Sequence, residues 1–419
     1  MTLDDTRPAE LLGPAPEPPP EEDLSPSEWV RIRLFATWYD TLFTLLFGAG
    51  FVWAARALIR YLISADFTIL RVNLALLMVG RFPRDQLWRP AVALILTGLL
   101  LGLLAGAAIG SARDRAAEAG EEFSWDGWLA VVRRFWPILA FIVLTLSFTQ
   151  TVSPWLVAAA TLAAGAFGHW MGRTIPAGVR RYSWLIAIAL LVAAFLVLIT
   201  GGVGWEDWGG LQLNIFLTVA GIALAFPLGL LLALGRRSSL PALQGASVTY
   251  IEFIRGVPLI TLLLLGAYAL GFMLPDSLQP SRTTRILIAI ALFEAAYIAE
   301  VVRGGFNAVP PGQVEASQAL GMPPWKTTRL IVLPQALRAT IPAMVGQFIS
   351  LYKDTTLVIV VALLDILAAA QASTSQPDFL AQGLHRVTLP FVGLAFWVGS
   401  YTMSREARRL EKRLGVGER

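Results

Sequence analysis

Ten apolar segments, each long enough or nearly long enough to cross a lipid bilayer, constrain this chain more than any other feature. They run approximately over residues 42–63, 91–110, 136–150, 154–171, 184–201, 212–234, 256–274, 285–302, 337–362 and 388–403. A helix needs about 20 mainly apolar residues to span the hydrocarbon core. Helices satisfy their own backbone hydrogen bonds there, as a spanning element must. The sequence therefore predicts an all-α integral membrane protein with about ten transmembrane helices.

The predicted number is nine or ten because of one ambiguous place. The third and fourth apolar segments are short and nearly continuous, and Ser153 and Pro154 lie between them. A proline at this position is compatible with a turn between two tilted spans. It is equally compatible with a kink inside one irregular span.

The composition agrees with a membrane protein and excludes several kinds of chemistry. Among 419 residues, 56% are hydrophobic and 15% are charged, which is fewer charges than a typical soluble protein carries. There are no cysteines and two histidines, His169 and His385. Disulfides and thiolate metal sites are therefore excluded, and we expect no metal site. No nucleophile–base or metal-ligand cluster is visible, so we expect no catalytic residues.

Three regions follow one another along the chain. Residues 1–30 contain seven prolines and eight acidic residues, which is typical of a disordered cytoplasmic tail, and no cleavable signal peptide is visible. Residues 31–205 form an N-terminal segment of additional transmembrane helices, and residues 206–419 form a five-span core. The loop between these two regions is rich in glycine and tryptophan and contains Gly201, Gly202, Gly204, Trp205, Trp208, Gly209 and Gly210.

Basic residues orient the predicted helices, because they concentrate on the cytoplasmic side of a membrane. If the last five spans begin outside, three basic segments face the cytoplasm and so do both termini. These segments contain Arg236, Arg237, Arg255, Arg303, Lys326, Arg329, Arg338, Arg405, Arg408, Arg409, Lys412 and Arg413. Four arginines do not fit, namely Arg71, Arg81, Arg84 and Arg89. Either their stretch is an amphipathic helix on the outer surface, or the number of spans is wrong there.

A polar loop in the C-terminal third has the pattern of a short, capped helix. Pro310 and Pro311 break the preceding segment, residues 313–320 tolerate a helix, and Gly321 can adopt the left-handed conformation that ends one. Three small residues, Ala316, Ser317 and Ala319, give this helix a flat face that another protein can approach closely. We expect Glu315 near its start to interact favourably with the helix dipole. The pattern predicts a docking helix.

This spacing resembles the EAA loop of ABC importer permeases. The matching positions are Glu315, Ala316, Ser317, Gly321, Ile331, Leu333 and Pro334, with Ser317 where the family has a third alanine. The resemblance implies that the loop, about residues 306–334, couples the chain to a separate ATPase. The alternative is a membrane-surface helix that matches by accident.

Further blocks in the core resemble the polar amino acid permeases. They are residues 250–258 (YIEFIRGVP), 296–305 (AYIAEVVRGG) and 353–357 (KDTTL). In the N-terminal half, residues 79–83 and 86–90 look like the larger permease subunits of general L-amino acid importers. The resemblance implies a type I ABC importer permease core with an extended N-terminal membrane segment.

The resemblance also implies partners and a location. It implies two ATP-binding subunits, a second permease subunit, a periplasmic amino-acid-binding protein, an L-amino acid substrate and the bacterial inner membrane, with no nucleic acid. The unequal architecture favours a heterodimer with a distinct homologous permease. Residues 321–327 superficially suggest a phosphate-binding loop, but two prolines remove backbone donors and no strand precedes them. We therefore expect no cofactor on this chain, with ATP and Mg²⁺ bound by the partner ATPase.

Polar residues inside the apolar spans are the candidates for the substrate path, since an unpaired ionised group in lipid is costly. They are Glu294, Tyr297, Gln347, Lys353, Asp354, Thr355 and Thr356. A zwitterionic amino acid needs acceptors for its ammonium, which Glu294, Asp354 and Tyr297 can provide. It also needs donors for its carboxylate, which Lys353, Thr355 and backbone amides can provide. The alternative for Lys353 and Asp354 is an internal ion pair that fixes a bend or contacts the other permease.

Three charged residues, Glu252, Arg255 and Asp365, lie near the ends of predicted helices. Glu252 and Arg255 lie near the predicted cytoplasmic boundary, where they either form a gate-stabilising salt bridge or anchor a helix, and Asp365 is a candidate helix cap.

The main rival function is an ion-gradient-driven secondary transporter, which can also bury Glu294, Lys353 and Asp354. Such a transporter needs no docking helix and no ATPase.

Overall fold

The computed structural model describes residues 25–123, 127–149, 151–200, 202–273, 275, 279–380 and 382–415. Before the core lie α1 Pro26–Leu34, α2 Trp38–Ser64, α3 Thr68–Val79, α4 Trp88–Ala119, α5 Gly127–Ser147, α6 Ser153–Thr174, α7 Ala177–Arg180 and α8 Ser183–Ile199. The core contains α9 Gly210–Arg236, α10 Pro241–Gly256, α11 Leu259–Leu264, α12 Leu270–Met273, α13 Arg282–Asn307, α14 Pro311–Ala319, α15 Pro324–Thr327, α16 Leu333–Asp354, α17 Ile366–Thr374 and α18 His385–Leu414. The described chain contains no named β-strand, which confirms the all-α prediction.

Every predicted span coincides with a helix, but the helices differ in how well they suit a membrane. Within the described residues, five stretches are long and apolar enough to cross one: Trp38–Ser64, Arg84–Ala119, Gly210–Arg236, Pro324–Val361 and His385–Lys412. A sixth is added if Pro241–Gly256 and Leu259–Met273, which meet at 102°, form one broken span. Helix α8 is apolar but short. The remaining predicted spans match α5, α6 and α13, which have 21, 22 and 26 residues.

The first compact unit of the chain ends at Ala65 and contains α1 and α2. Each of these helices begins with a capping box, Ser25 with Glu28 in α1 and Thr37 with Asp40 in α2, which satisfies backbone donors at the helix start. Helix α1 therefore starts inside the stretch 1–30 that was predicted to be an unfolded tail. Residues 1–24 lie outside the described residues. Helix α2 buries none of its side chains within the chain, as expected of a helix surrounded by lipid.

The ambiguity around residues 136–171 is resolved as a turn between two helices. Helix α5 ends at Ser147 and α6 begins at Ser153, with Pro154 in its first turn. The two helices also have different neighbours, since α6 packs along α4 whereas α5 packs on α18. Arg134 of α5 forms an ion pair with Glu406 of α18. Pro137 and the non-helical backbone at Phe135 bend α5 internally.

Helices α4 and α6 are in backbone contact along a stripe of glycines that the sequence analysis did not identify. On α4 the stripe contains Gly98, Gly102 and Gly106, at a spacing of four residues, and Gly110 continues it against the side chain of Arg180 in α7. A Cβ atom added at Gly102 or Gly106 would lie closer than 3.0 Å to the backbone of α6. Small residues at this spacing let membrane helices approach closely. The N-terminal segment is thus held together by a tight, apolar seam.

The four misfit arginines lie on and after a short apolar helix. Helix α3 buries Ile69, Leu70 and Leu77 against the rest of the chain but exposes Arg71. Of the others, Arg89 donates hydrogen bonds to the carbonyls of Val197, at 3.0 Å, and of Thr200, and so caps the C-terminal end of α8. Arg84 donates a hydrogen bond to the carbonyl of Gly80, four residues earlier, at 3.1 Å. An amphipathic helix on the outer surface and a different number of spans both stay predictions.

The N-terminal segment joins the core at a second close backbone contact. Gly80, at the end of α3, has φ +63° and a Cβ added there would overlap the backbone of Gly209. The amide of Gly210 donates to the carbonyl of Leu364 at 2.7 Å, which brings the start of α9 beside the start of α17. Phe82, buried to 1% exposure, packs with Trp208 against this joint. The block near residue 80 therefore has a structural role.

Candidate functional site

The predicted docking helix is present as α14. Its C-terminal end has the expected cap, because Gly321 adopts φ +72° and its amide donates to the carbonyl of Gln318 at 2.8 Å. The amide of Met322 donates to the carbonyl of Ser317 at 3.0 Å. Such bonds satisfy carbonyls at the end of a helix. Since a Cβ at Gly321 would meet nothing within 4 Å, its backbone conformation alone favours glycine there.

Ser317, which was predicted to lie on the flat docking face, is buried inside the loop instead. Ser317 is 1% exposed, and its hydroxyl lies 2.9 Å from the hydroxyl of Thr327 in α15 and donates to the carbonyl of Val314 at 2.7 Å. The family's third alanine cannot make this bond. Ser317 therefore ties the two short helices of the loop together, and the prediction that it contributes to an exposed face is wrong.

The outer face of the loop is formed by other residues. Glu315, Ala316 and Ala319 are exposed, and so are three large apolar side chains that the sequence analysis left out: Leu320, Trp325 and Leu330. Ile331 and Leu333 are half-buried, and Pro334 is exposed in the first turn of α16. An exposed apolar patch with a polar surround is typical of a protein contact. The signal for it was the apolar content of residues 320–330.

Glu294 is the most enclosed carboxylate among the predicted path residues. It lies on α13, is 1% exposed, and accepts a hydrogen bond from Gln347 of α16 at 3.2 Å through Oε2. Its other oxygen, Oε1, is buried and has no hydrogen-bond partner in the described part of the chain. Tyr297, one turn later on α13, is half-buried beneath the guanidinium of Arg255, 5.7 Å from the ring centre. The structure thus brings Glu294 and Gln347 together, as a shared path requires.

The end of α16 divides the remaining predicted path residues into two groups. Lys353 is exposed, and Asp354 and Thr356 are half-buried. Thr355 is fully buried and accepts a hydrogen bond from Asn214 at 3.0 Å. The same amide of Asn214 donates to Asp365 at 3.3 Å. Thr355 therefore supports the core, and this position contradicts its predicted contact with substrate.

Asn214 and Asp365 form a buried polar junction that the sequence analysis only partly identified. Asp365 is fully buried and caps α17 by accepting from the amide of Ala368 at 2.8 Å. Asn214 also accepts from the amide of Ile366 at 3.0 Å. One amide side chain thus joins α9, the turn after α16 and the start of α17. The cap at Asp365 was a stated candidate, whereas nothing in the sequence near Asn214 pointed to this role.

Glu252 and Arg255 belong to a larger ionic network in which Glu300 is the central residue. Arg236 lies 3.0 Å from Glu252 and 3.4 Å from Glu300, and Arg255 lies 3.6 Å from Glu300. Arg303 donates to Glu300 through Nε at 2.7 Å. The network connects the ends of α9, α10 and α13. Its signal in the sequence was the Glu300–Arg303 spacing of three, which places both on one helix face.

Comparisons with known proteins identify the family of the chain. Residues 225–416 match the family model described as binding-protein-dependent transport system inner membrane component. The chain is 32% identical to the inner membrane amino-acid ABC transporter permease protein YhdY of Escherichia coli, over 97% of this chain and 98% of that protein. It is 33% identical to the glutamate/glutamine/aspartate/asparagine transport system permease protein BztC of Rhodobacter capsulatus, over 96% of each chain. A crystal structure of an amino acid ABC transporter with histidines covers 49% of this chain at 29% identity and a TM-score of 0.44.

The chain therefore belongs to the family of amino-acid ABC transporter permeases, which are multi-pass proteins of the inner membrane. Because the two relatives match nearly end to end, the resemblance extends through the N-terminal segment as well as the core. This confirms the predicted family and its extended form. The chain is a transport subunit of an importer.

Proposed function

We propose that this chain lines the substrate path of an ATP-driven L-amino acid importer and receives movement from a separate ATPase through α14. The observation that carries the proposal is the construction of the loop. Its outer face presents Glu315, Ala316, Leu320 and Trp325, while its inner side is fixed by the buried pair of Ser317 and Thr327. A rigid element with an exposed docking face can transmit a displacement.

The displacement has two direct routes into the membrane core. Helix α14 follows α13 after Ala308, Val309 and Pro310, and α15 leads through the π-helical turn Thr328–Val332 into α16. Because Glu294 of α13 contacts Gln347 of α16, both routes converge on the same pair. Movement of α14 would therefore change the separation of the two helices that hold the candidate path residues.

Lys353 and Asp354 are the groups best placed to recognise the charged head of an amino acid. They are adjacent at the end of α16, one exposed and one half-buried, and they present opposite charges. A zwitterion needs a donor for its carboxylate and an acceptor for its ammonium within one site. The rest of the importer would comprise two ATP-binding subunits that hold ATP and Mg²⁺, a distinct second permease and a periplasmic amino-acid-binding protein. Both termini of this chain would face the cytoplasm.

The decisive experiment compares two glycines. Gly321 and Gly120 both have positive φ, close a helix and would have nothing within 4 Å of an added Cβ. We expect Gly321→Ala and Gly120→Ala to cost similar stability, about 1 kcal/mol. In proteoliposomes containing the whole importer, we expect only Gly321→Ala to lower amino acid uptake per ATP hydrolysed. Glu315→Gln tests the same face without altering the backbone.

Two results would contradict this function. Equal uptake per ATP in Gly321→Ala, Glu315→Gln and Gly120→Ala would remove the coupling role of α14. Uptake that follows an imposed proton or sodium gradient and needs no ATP would identify an ion-driven transporter instead.

A further inference from the structure

Glu294 is a buried carboxylate with half of its hydrogen-bonding capacity unused. Gln347 serves Oε2, but Oε1 is enclosed and has no hydrogen-bond partner in the described residues. Leaving a buried polar atom unpaired costs about 1–3 kcal/mol, and more when the group is charged. An apolar residue would fill the same place between α13 and α16 at no such cost. A glutamate in this place therefore points to a ligand that donates to Oε1.

The neighbouring charges decide what that ligand is. Asp354 lies two turns after Gln347 on the same face of α16, and Lys353 immediately precedes it. The positive charge of Lys353 and the negative charge of Asp354 match the carboxylate and the ammonium of a zwitterionic head group. Glu294 is then one negative charge in excess. It is available to the substrate's side chain because the head group already has an acceptor in Asp354.

The exposed surface of α16 beside Gln347 is where a substrate would approach the carboxylate of Glu294. Gly346 is exposed, and a Cβ added there would meet nothing within 4 Å. One turn further along α16, Ser350 is also exposed and small, and Lys353 follows on the same side. A substrate moving along this face passes Gln347, which donates the hydrogen bond to Glu294.

We propose that Glu294 selects substrates by side-chain charge, favouring amino acids whose side chain ends in a hydrogen-bond donor or a cation and disfavouring dicarboxylic ones. This inference rests on the proposed importer function. An arginine, lysine or glutamine side chain can donate to Oε1. A glutamate or aspartate side chain brings a second negative charge into a site of low dielectric, where repulsion is strong.

The test measures a ratio, so that the preference of the binding protein cancels. The whole importer, with its binding protein at saturating concentration, is reconstituted, and ATP-dependent uptake of radiolabelled glutamate and arginine is measured. Glu294→Gln keeps the shape of the side chain and removes its charge. We expect it to raise the glutamate-to-arginine uptake ratio about tenfold or more relative to the wild type. Glu118→Gln, an exposed change of the same kind at the end of α4, should leave the ratio unchanged.

Glu294→Asp keeps the charge and guards against a merely structural effect. We expect it to retain the wild-type ratio even if total uptake falls. An unchanged ratio in Glu294→Gln would overturn the proposal, and so would an equal change of the ratio in Glu294→Gln and Glu294→Asp in assembled complexes. If the wild type showed no ATP-dependent uptake of any amino acid, the importer function itself would fail. ATP-dependent uptake with an invariant ratio would remove charge selection alone.

Discussion

The α4–α6 pair and the core are both held by close backbone contacts at glycines, but the core adds buried polar side chains between its helices. A Cβ added at Gly102 would overlap the backbone of α6, and one at Gly229 of α9 or Gly305 of α13 would lie 2.8 or 2.5 Å from the backbone of the neighbouring core helix. Such contacts leave no room for adjustment, because backbone atoms cannot rotate out of the way. The core contacts at Asn214 and Glu294 are hydrogen bonds that can be exchanged for others. The core therefore combines fixed contacts with exchangeable ones, whereas the α4–α6 pair forms a fixed scaffold.

The N-terminal segment contacts the core in two places. Gly80 meets Gly209 at the start of α9, and Gln376, just after α17, donates to Asn73 of α3 at 2.7 Å. Arg134 of α5 forms an ion pair with Glu406 near the C-terminal end of α18. The segment is therefore attached to the core beside the start of α9 and again near the end of α18.

Breaking the glycine seam should have the largest effect on stability. Gly102→Leu places a side chain where a Cβ already lies closer than 3.0 Å to the backbone of α6 at Gly165. Since neither backbone can yield, we expect a loss of about 3 kcal/mol or more in the free energy of unfolding. Thermal unfolding of the purified protein in detergent measures it. Gly48→Leu on α2, where a Cβ meets nothing within 4 Å, is the matched control; equal midpoints would refute the seam.

Removing the polar junction in the core should have the next largest effect. Asn214→Leu leaves Asp365, Thr355 and the amide of Ile366 each without one partner in a fully buried place. We expect a loss of about 2–3 kcal/mol by the same measurement. Thr218→Val, one turn later on α9, removes only a bond to the helix's own backbone and should cost less than about 1 kcal/mol. A larger effect of Thr218→Val than of Asn214→Leu would show that the junction is not what joins these helices.

Ser317 and Thr327 should show a smaller coupling, confined to the loop. Their hydroxyls are 2.9 Å apart and buried, so Ser317→Ala and Thr327→Val should each destabilise the protein and the double variant should cost less than their sum. We expect a coupling energy of about 1 kcal/mol from the double-mutant cycle. Additive effects would mean that the hydroxyls do not stabilise each other and that the loop is held in another way.

The ionic network should show the smallest effect, and it should depend on burial. The Glu252 side chain is 56% exposed, so Glu252→Gln should change the free energy of unfolding by less than about 0.5 kcal/mol. The Glu300 side chain is 21% exposed and contacts three arginines, so Glu300→Gln should cost about 1 kcal/mol. The midpoints of chemical denaturation compare the two. A reversed order would contradict the central position of Glu300.

Local patterns gave a correct prediction for the loop near residue 315, whereas the local capping box of Ser25 and Glu28 was missed. The docking helix with its glycine cap depends on Pro311 and Gly321, both within one short segment, and both were identified. Thr355 and Thr356 are adjacent and chemically alike, yet only Thr355 faces Asn214, about 140 residues earlier in the chain. No local pattern distinguishes the two. The same limit applied to Ser317, whose burial depends on the position of Thr327.

By itself, the sequence determined that this chain is a helical membrane protein of the amino-acid permease family with a short capped helix near residue 315. Hydrophobic length, helix caps and motif spacing are properties of contiguous residues, and they survive in the sequence without a fold. Tertiary structure alone decided that Glu300 is the centre of the ionic network. It also decided that one carboxylate oxygen of Glu294 has no hydrogen-bond partner among the described residues. Both depend on the distances between side chains of different helices, which are set by how the helices pack.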